Sequence, residues 1–393
     1  MSEPVSAPPP SSFLTRRLGV LTVGHFTIDA YSSFFLPLLP LLSQRLGLDY
    51  AQVGGLTALA SLSSSFSQPF FGLLADRMRR PWFVAVGPLL AAVFMASIGF
   101  ARDYVTLVAL LVAGGFGVAM FHPQTAKLAG ASSPRRALAM SFWVTGGTLG
   151  WALGPAFATL MVGRVGLEHL WWAAIPGLLV CALLFVWFAR VSGHAAPRRP
   201  DAPIAGLRPV ARPLALLYFA VVCRSAVASG FATFLPLWVT GRGGSVAQAG
   251  WLTTLYLTLG ALGGFAGGWL ADRIGGRRVV AGSFALAIPF FAAFFVLQGP
   301  LAFAALVLGY LFLQSSLPVN VVLAQELSPA HAGIVSSLMM GAAWGLGALL
   351  IYPVGEFADR FGLDRALLLL SSLLVVGHLC ARAFVRSHPA PAT

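Results

Sequence analysis

The sequence predicts an all-α membrane protein, with twelve transmembrane helices in two six-helix parallel repeats and both termini cytoplasmic. Three observations carry this. First, 58% of the 393 residues are apolar and only 9% are charged, whereas a soluble protein carries roughly 25%. A bilayer is the solvent that tolerates such a composition. Second, the apolar residues fall into twelve runs, each near the roughly 20 residues a spanning helix needs. Third, Gly72-Leu-Leu-Ala-Asp76-Arg77 returns as Gly268-Trp-Leu-Ala-Asp272-Arg273, offset by 196 positions.

Taken in order, residues 1–17 form a cytoplasmic N-terminus, rich in Pro and Ser and expected to be disordered. No charged segment opens it, so it does not read as a signal peptide, and the first apolar run is expected to stay in the membrane. The N-terminal half, 18–189, holds runs 18–42, 51–75, 82–101, 104–129, 137–163 and 169–189. A polar linker follows at 190–213, with Arg190, Arg198, Arg199, Arg208 and Arg212. The C-terminal half, 214–386, holds runs 214–239, 247–271, 278–297, 301–325, 331–357 and 365–385, and 387–393 is a cytoplasmic tail. With the N-terminus inside, the cytoplasmic side holds 18 Lys and Arg residues against 6 on the other, which fixes the orientation. The multi-pass topology suits a cell inner membrane, and a monomer is expected.

Net charge is +13. The arginines sit in short clusters between apolar runs and build no continuous basic face, so nucleic acid is not an expected partner. Cys181, Cys223 and Cys380 lie inside apolar runs and offer neither a disulfide framework nor metal-ligand spacing.

The repeat extends beyond its first copy. Ala51-Gln-Val-Gly-Gly-Leu-Thr57 matches Ala247-Gln-Ala-Gly-Trp-Leu-Thr253 at the same offset, and Phe35-Leu-Pro-Leu38 echoes Phe234-Leu-Pro-Leu237. Two halves of the same orientation are related by an axis along the membrane normal, enclosing a site whose access alternates as they rock.

Charged residues inside a bilayer are costly and mark functional sites. His25 and Asp29, four apart on helix 1, share a face, and Asp29 lies roughly 16 Å along from Leu18. Arg224 on helix 7 reaches a similar depth. The two are expected to approach each other, with Arg224 drawing a polar or anionic substrate group and Asp29 and His25 carrying a coupling proton; the alternative is a permanent pair that holds the halves in register. His122, followed by Pro123, is a relay or gate residue, or else a histidine bonded to carbonyls that the proline frees. Lys127 and Glu326 end equivalent helices, so a pair across the cytoplasmic mouth is expected, against simple solvation. Gly150, Gly154 and Pro155 read as close packing or as a conformational device in helix 5. Gln68, Trp143, Phe231 and Asn320 are candidates for the substrate cavity.

These residues resemble the Major Facilitator Superfamily. Gly72–Arg80 is similar to its helix 2–3 loop signature and Gly268–Arg278 to the second copy; Met78 stands where a second glycine is usual, implying a tighter turn. Within the superfamily the chain resembles the fosmidomycin-resistance-type efflux proteins through Gly24-His-Phe-Thr-Ile-Asp29, Phe121-His-Pro123, Gly146-Gly147 with Gly154-Pro155, Arg224-Ser225 with Thr233-Phe-Leu-Pro236, and Ala324-Gln-Glu-Leu-Ser-Pro329. The resemblance implies that Asp76 faces the start of helix 11 near His331-Ala-Gly333, and Asp272 the start of helix 5 near Ala137. Gly72, Asp76, Arg77, Gly268, Asp272 and Arg273 would then control conformational exchange, and the glycines of helix 5 would accompany antiport.

No phosphate loop, metal-ligand cluster or nucleophile–base set is visible, so no cofactor and no enzyme activity are expected. The expected function is proton-coupled efflux of a small polar or amphiphilic compound, such as an antibiotic, by alternating access. The alternatives are proton-coupled uptake of a metabolite or organic anion, and a non-transporting membrane scaffold or sensor.

Overall fold

The computed structural model describes residues 15–133, 136–188 and 204–387. It is helical throughout that range. The chain runs through α1 (Arg16–Leu46), α3 (Phe83–Phe100), α4 (Tyr104–Gly130), α6 (Leu167–Phe188), α7 (Gly206–Thr240), α8 (Val246–Ile274), α9 (Gly276–Val296), α10 (Gly299–Leu327), α11 (Ile334–Phe361) and α12 (Leu363–Ser387), ten helices long and apolar enough to cross a membrane. Two further long helical stretches complete the bundle: α2, built from Tyr50–Ser61, a π turn at Leu62–Phe66, and Gln68–Arg77, and α5 (Arg136–Val165). These two are less apolar for identifiable reasons. α2 carries Ser61, Ser63, Ser64, Ser65 and Ser67, while α5 is rich in glycine and threonine.

Local chemistry sets the helix starts. Asp49 opens α2 and Ser245 opens α8 with reciprocal capping boxes to Gln52 and Gln248. Both caps stand at equivalent positions of the repeat, since 245 less 196 is 49. Asp103 opens α4 by accepting from the Thr106 amide at 2.7 Å, and this bond holds its carboxyl below the ordinary carboxylate range.

Two sequence expectations change. The linker expected at 190–213 is already helical from Gly206; residues 189–203 lie outside the described residues, as do 1–14 and 388–393. The turn after α2 is not tightened at Met78, which is extended (φ −85°, ψ 133°). In the second copy the turn glycine is Gly275 at φ 89°, and the offset of 196 aligns it with Arg79, not with Met78. Among the described residues only glycines have positive φ, so Arg79 obliges the first copy to leave its helix by a different, extended path.

Within the N-terminal half, α5 lies directly on α1. A methyl group at Gly146 would meet Thr22, one at Gly150 the carbonyl of Phe26, and one at Gly154 the carbonyl of Ala30. Spacing of four puts these glycines on one face and lets the backbones touch. Gly72 faces Pro123 of α4 and Gly268 faces Pro318 of α10, at ordinary contact distances that would also accommodate a methyl group.

The halves meet along two seams. In the α2–α11 seam, Asp359 accepts from the backbone amides of Tyr50 and Ala51 at 2.8 and 2.9 Å, capping the start of α2 from the other half. Thr57 and Thr233 bond at 3.0 Å nearby. In the α5–α8 seam, the Ala156 amide donates to Thr254 at 3.0 Å. Farther along, α5 is exposed at Ser141, Phe142, Val144 and Thr145, and α8 at Leu262, Phe265, Ala266 and Trp269. The halves are therefore packed together at one end and part toward the other. The π turn of α2 and a second at Leu338–Ala342 in α11 face each other in between, with Gly341 against the Ser65 carbonyl.

Asp359→Ala removes the trans cap, worth about 1 kcal/mol for a helix N-cap. Faster hydrogen exchange at the Tyr50 and Ala51 amides, with the amide of Gln52 less affected because Asp49 still caps it, is the expected result.

Candidate functional site

Three side chains from two helices of the N-terminal half converge. His25 and Asp29 project from α1 at the expected four-residue spacing, and His122 comes from α4. His25 Nε2 lies 3.2 Å from one Asp29 carboxylate oxygen, His122 Nε2 lies 3.2 Å from the other, and the two Nε2 atoms are 3.1 Å apart. The imidazoles are held from behind. His25 Nδ1 donates to the Trp143 carbonyl at 2.9 Å, and His122 Nδ1 donates to the Val118 carbonyl at 2.8 Å. A carbonyl only accepts, so both Nδ1 atoms carry hydrogen. In the neutral imidazoles both Nε2 atoms are then lone pairs, and they face each other and a carboxylate. Three proton acceptors thus point at one spot with no donor among them.

Packing fixes this geometry. The Trp143 ring stacks on His25 with centroids 3.8 Å apart, so Trp143 grips His25 by its face and by its Nδ1–H. Gly147 faces the His25 imidazole edge, and any Cβ there would collide with it. His25 is buried, whereas Asp29 and His122 side chains keep 17% and 21% exposure, leaving the cluster reachable. The carbonyl freed by Pro123 would be that of Ala119; His122 bonds Val118 instead, so the proline does not account for it.

Arg224 lies in the C-terminal half and is fully buried. Its Nη1 donates to Gln314 Oε1 at 2.6 Å, and Gln314 Nε2 donates to the Tyr310 hydroxyl at 3.0 Å. Its guanidinium sits 5.0 Å from the Trp344 ring centroid. Its Nε has no partner, and among the described residues no carboxylate is within 4.0 Å of it. The expected approach of Asp29 and Arg224 is therefore not present: each is committed inside its own half.

Other expectations also change. Lys127 pairs with Asp76 of its own half rather than with Glu326, because α4 and α2 adjoin there. That pair occupies the Asp76 carboxylate expected to face α11. The contact expected between Asp272 and Ala137 falls on a side chain outside the described residues; Asp272 is exposed, and Arg273 lies over Trp269 at 3.7 Å. Arg77 is exposed. Phe231 is wholly buried against Phe291 and Phe294, and Trp143 is enclosed by the histidines, so neither walls a cavity. Gln68 donates to the Ser64 carbonyl at 2.9 Å. Asn320 is buried with its Oδ1 unpartnered.

An open cleft of about 180 Å³ lies between the halves. Ser32, Ser61, Ser64 and Ser229 line it beside Trp151 and Trp344, whose rings meet edge-on at 6.5 Å across the halves. Among the described residues no charged side chain lines it. Arg224 meets it only through Trp344, and the Asp29 cluster only through neighbours: Val118 lines it, and Ser32, which donates to the Asp29 carbonyl at 2.7 Å, does too. The serines of α2 were visible in the sequence as an unusually polar run within an apolar helix.

Gly147→Ala is expected to displace the His25 ring. It should lower thermal stability by about 1–3 kcal/mol as an overpacked contact, and parent-like melting would show that the ring has room to yield.

A model for the Major Facilitator Superfamily matches residues 21–352. An uncharacterized MFS-type transporter, YfnC of Bacillus subtilis (strain 168), is 30% identical over 92% of this chain and 90% of its own length. The fosmidomycin resistance protein of Escherichia coli (strain K12) is 28% identical over 92% of this chain and 91% of its own. In fold, the chain is similar to a bacterial homolog of the human lysosomal transporter Spinster in an inward-facing and occupied conformation, with a TM-score of 0.81, 16% identity, and coverage of 94% of this chain and 96% of that one.

Proposed function

Since the chain belongs to the Major Facilitator Superfamily of membrane transporters, we propose that it is a proton-coupled exporter of a small polar or amphiphilic compound. It works by alternating access, as a monomer in the bacterial inner membrane, with all twelve helices spanning and both termini cytoplasmic. The carrying observation is the convergence of His25 Nε2, His122 Nε2 and the Asp29 carboxylate on one spot. With Asp29 ionised and both imidazoles neutral, the cluster has one negative charge and no donor. A single proton on either Nε2 turns repulsion among lone pairs into a bond to the carboxylate and neutralises the site. Such a group, reachable at membrane depth, carries a proton between two faces as the halves rock.

Substrate is held in the serine-lined cleft. Arg224, buried with no counter-ion, favours an anionic or strongly polar group next to Trp344. Proton and substrate do not compete for one atom, because Asp29 and Arg224 sit apart. Their coupling passes instead through which occupancies let the halves exchange, with Gly72, Asp76, Arg77, Lys127, Gly268, Asp272, Arg273 and Glu326 at the parting end setting the rate. The glycines of α5, Gly150 and Gly154, with Pro155, keep α5 and α1 moving as one body. Export is supported by the similarity to the Escherichia coli fosmidomycin resistance protein.

The test is transport by purified protein in liposomes, with fosmidomycin as first probe. Parent protein should move protons counter to substrate, and Asp29→Asn should lose that movement to background. Proton-driven flux of Asp29→Asn equal to the parent's would end the coupling role, and protons moving with substrate would establish uptake instead.

A further inference from the structure

We propose that His25, Asp29 and His122 form a binding site for a divalent transition-metal ion of the zinc or cobalt type. The sequence shows no metal-ligand spacing, because His122 stands 97 residues from His25. The fold supplies what the spacing lacks: two imidazole nitrogens and a carboxylate gathered within one coordination sphere.

The dimensions fit a metal. Zinc binds histidine nitrogen at about 2.0–2.1 Å and carboxylate oxygen at about 2.0–2.2 Å. Two ligand atoms at such distances stand about 2.9 Å apart at a right angle and about 3.3 Å apart at a tetrahedral angle. The three separations here are 3.1, 3.2 and 3.2 Å, between those limits. The ligand chemistry fits too, since imidazole suits zinc, cobalt and nickel and a carboxylate completes a mixed set.

The surroundings are those of a metal site in three respects. A metal-ligating histidine donates its other ring N–H to a carbonyl or carboxylate, which fixes the tautomer and the ring plane. Both histidines do so, to the Trp143 and Val118 carbonyls, and both thereby present lone pairs inward. Gly147 lets the α5 backbone pack against the His25 imidazole edge and so holds its Nε2 in place. Asp29 and His122 remain part-exposed, and the neighbouring cleft gives a path of entry. With three protein ligands, one or more positions stay open for water or for a ligand from the cleft.

A metal and a proton would use the same lone pairs, so an occupied site excludes the proton-loaded one. Metal occupancy does not depend on the proton reading, and the two fail separately: a parent that transports but binds no metal refutes only this inference.

The test uses the full chain, purified without a polyhistidine tag and held in nanodiscs. Cobalt(II) titration should give visible d–d bands saturating at one ion per chain, with zinc displacing it. His122→Gln and Asp29→Asn should each weaken binding at least tenfold. X-ray absorption of the zinc-loaded parent, which needs no variant to fold, should show two imidazole nitrogens and an oxygen in the first shell. Absence of saturable binding in the micromolar range, binding unchanged in both variants, or a shell without imidazole would overturn the site.

Discussion

The carboxylate of Asp29 lies between two imidazoles whose outer nitrogens are already committed to backbone carbonyls. Much of the N-terminal half is arranged around holding that contact. A negative charge at membrane depth must have company, and the histidines can supply it only if their rings stay where they are. Trp143 stacks on one ring, and Gly147 makes room for it. The glycines on either side of Gly147 draw α5 onto α1 so closely that the tryptophan carbonyl reaches His25. Packing here does chemical work, since it decides which nitrogen carries hydrogen and therefore what the third party in the site must be.

The C-terminal half solves the corresponding problem differently. Arg224 is wholly buried and has neutral neighbours: an amide oxygen, an aromatic face and, through Gln314, the hydroxyl of Tyr310, whose ring stacks on Tyr256. A buried guanidinium with an unpartnered Nε is an electrostatic demand left open. Among the described residues none that lines the cleft is charged, and the nearest buried cation, Arg224, stands behind its Trp344 wall.

Much of this was legible in the sequence. The apolar runs and the repeat specify two helical halves, and the four-residue spacing of His25 and Asp29 places both on one face. The partner choices were not legible, and the repeat itself misled. Asp29 and Arg224 stand in corresponding helices, but the offset of 196 maps Arg224 onto Ile28, and one residue along a helix turns a side chain by about 100°, so the two point in different directions. At the same offset Lys127 maps onto Leu323 and not onto Glu326, and it finds Asp76 across one helix contact instead. His122 was recognisable as an intramembrane histidine, but its meeting with Asp29 depends on how α1 and α4 lean together, which no spacing along the chain encodes. The π turns of α2 and α11 hide the facing surfaces for a related reason. Each inserts a residue into the helical turn, so periodicity read through it loses register.

Asp359 has a consequence for the two seams. The repeat offset maps it onto Gly163, so the charged cap on α2 has no counterpart where α8 begins beside α5. The α2–α11 seam adds a full charge at a helix terminus, an interaction that mobile ions screen, to uncharged contacts such as Thr57–Thr233; the α5–α8 seam has an uncharged hydroxyl and a glycine-to-threonine contact. Raised ionic strength on that face of the membrane therefore weakens the Asp359 cap and leaves the Ala156–Thr254 contact alone.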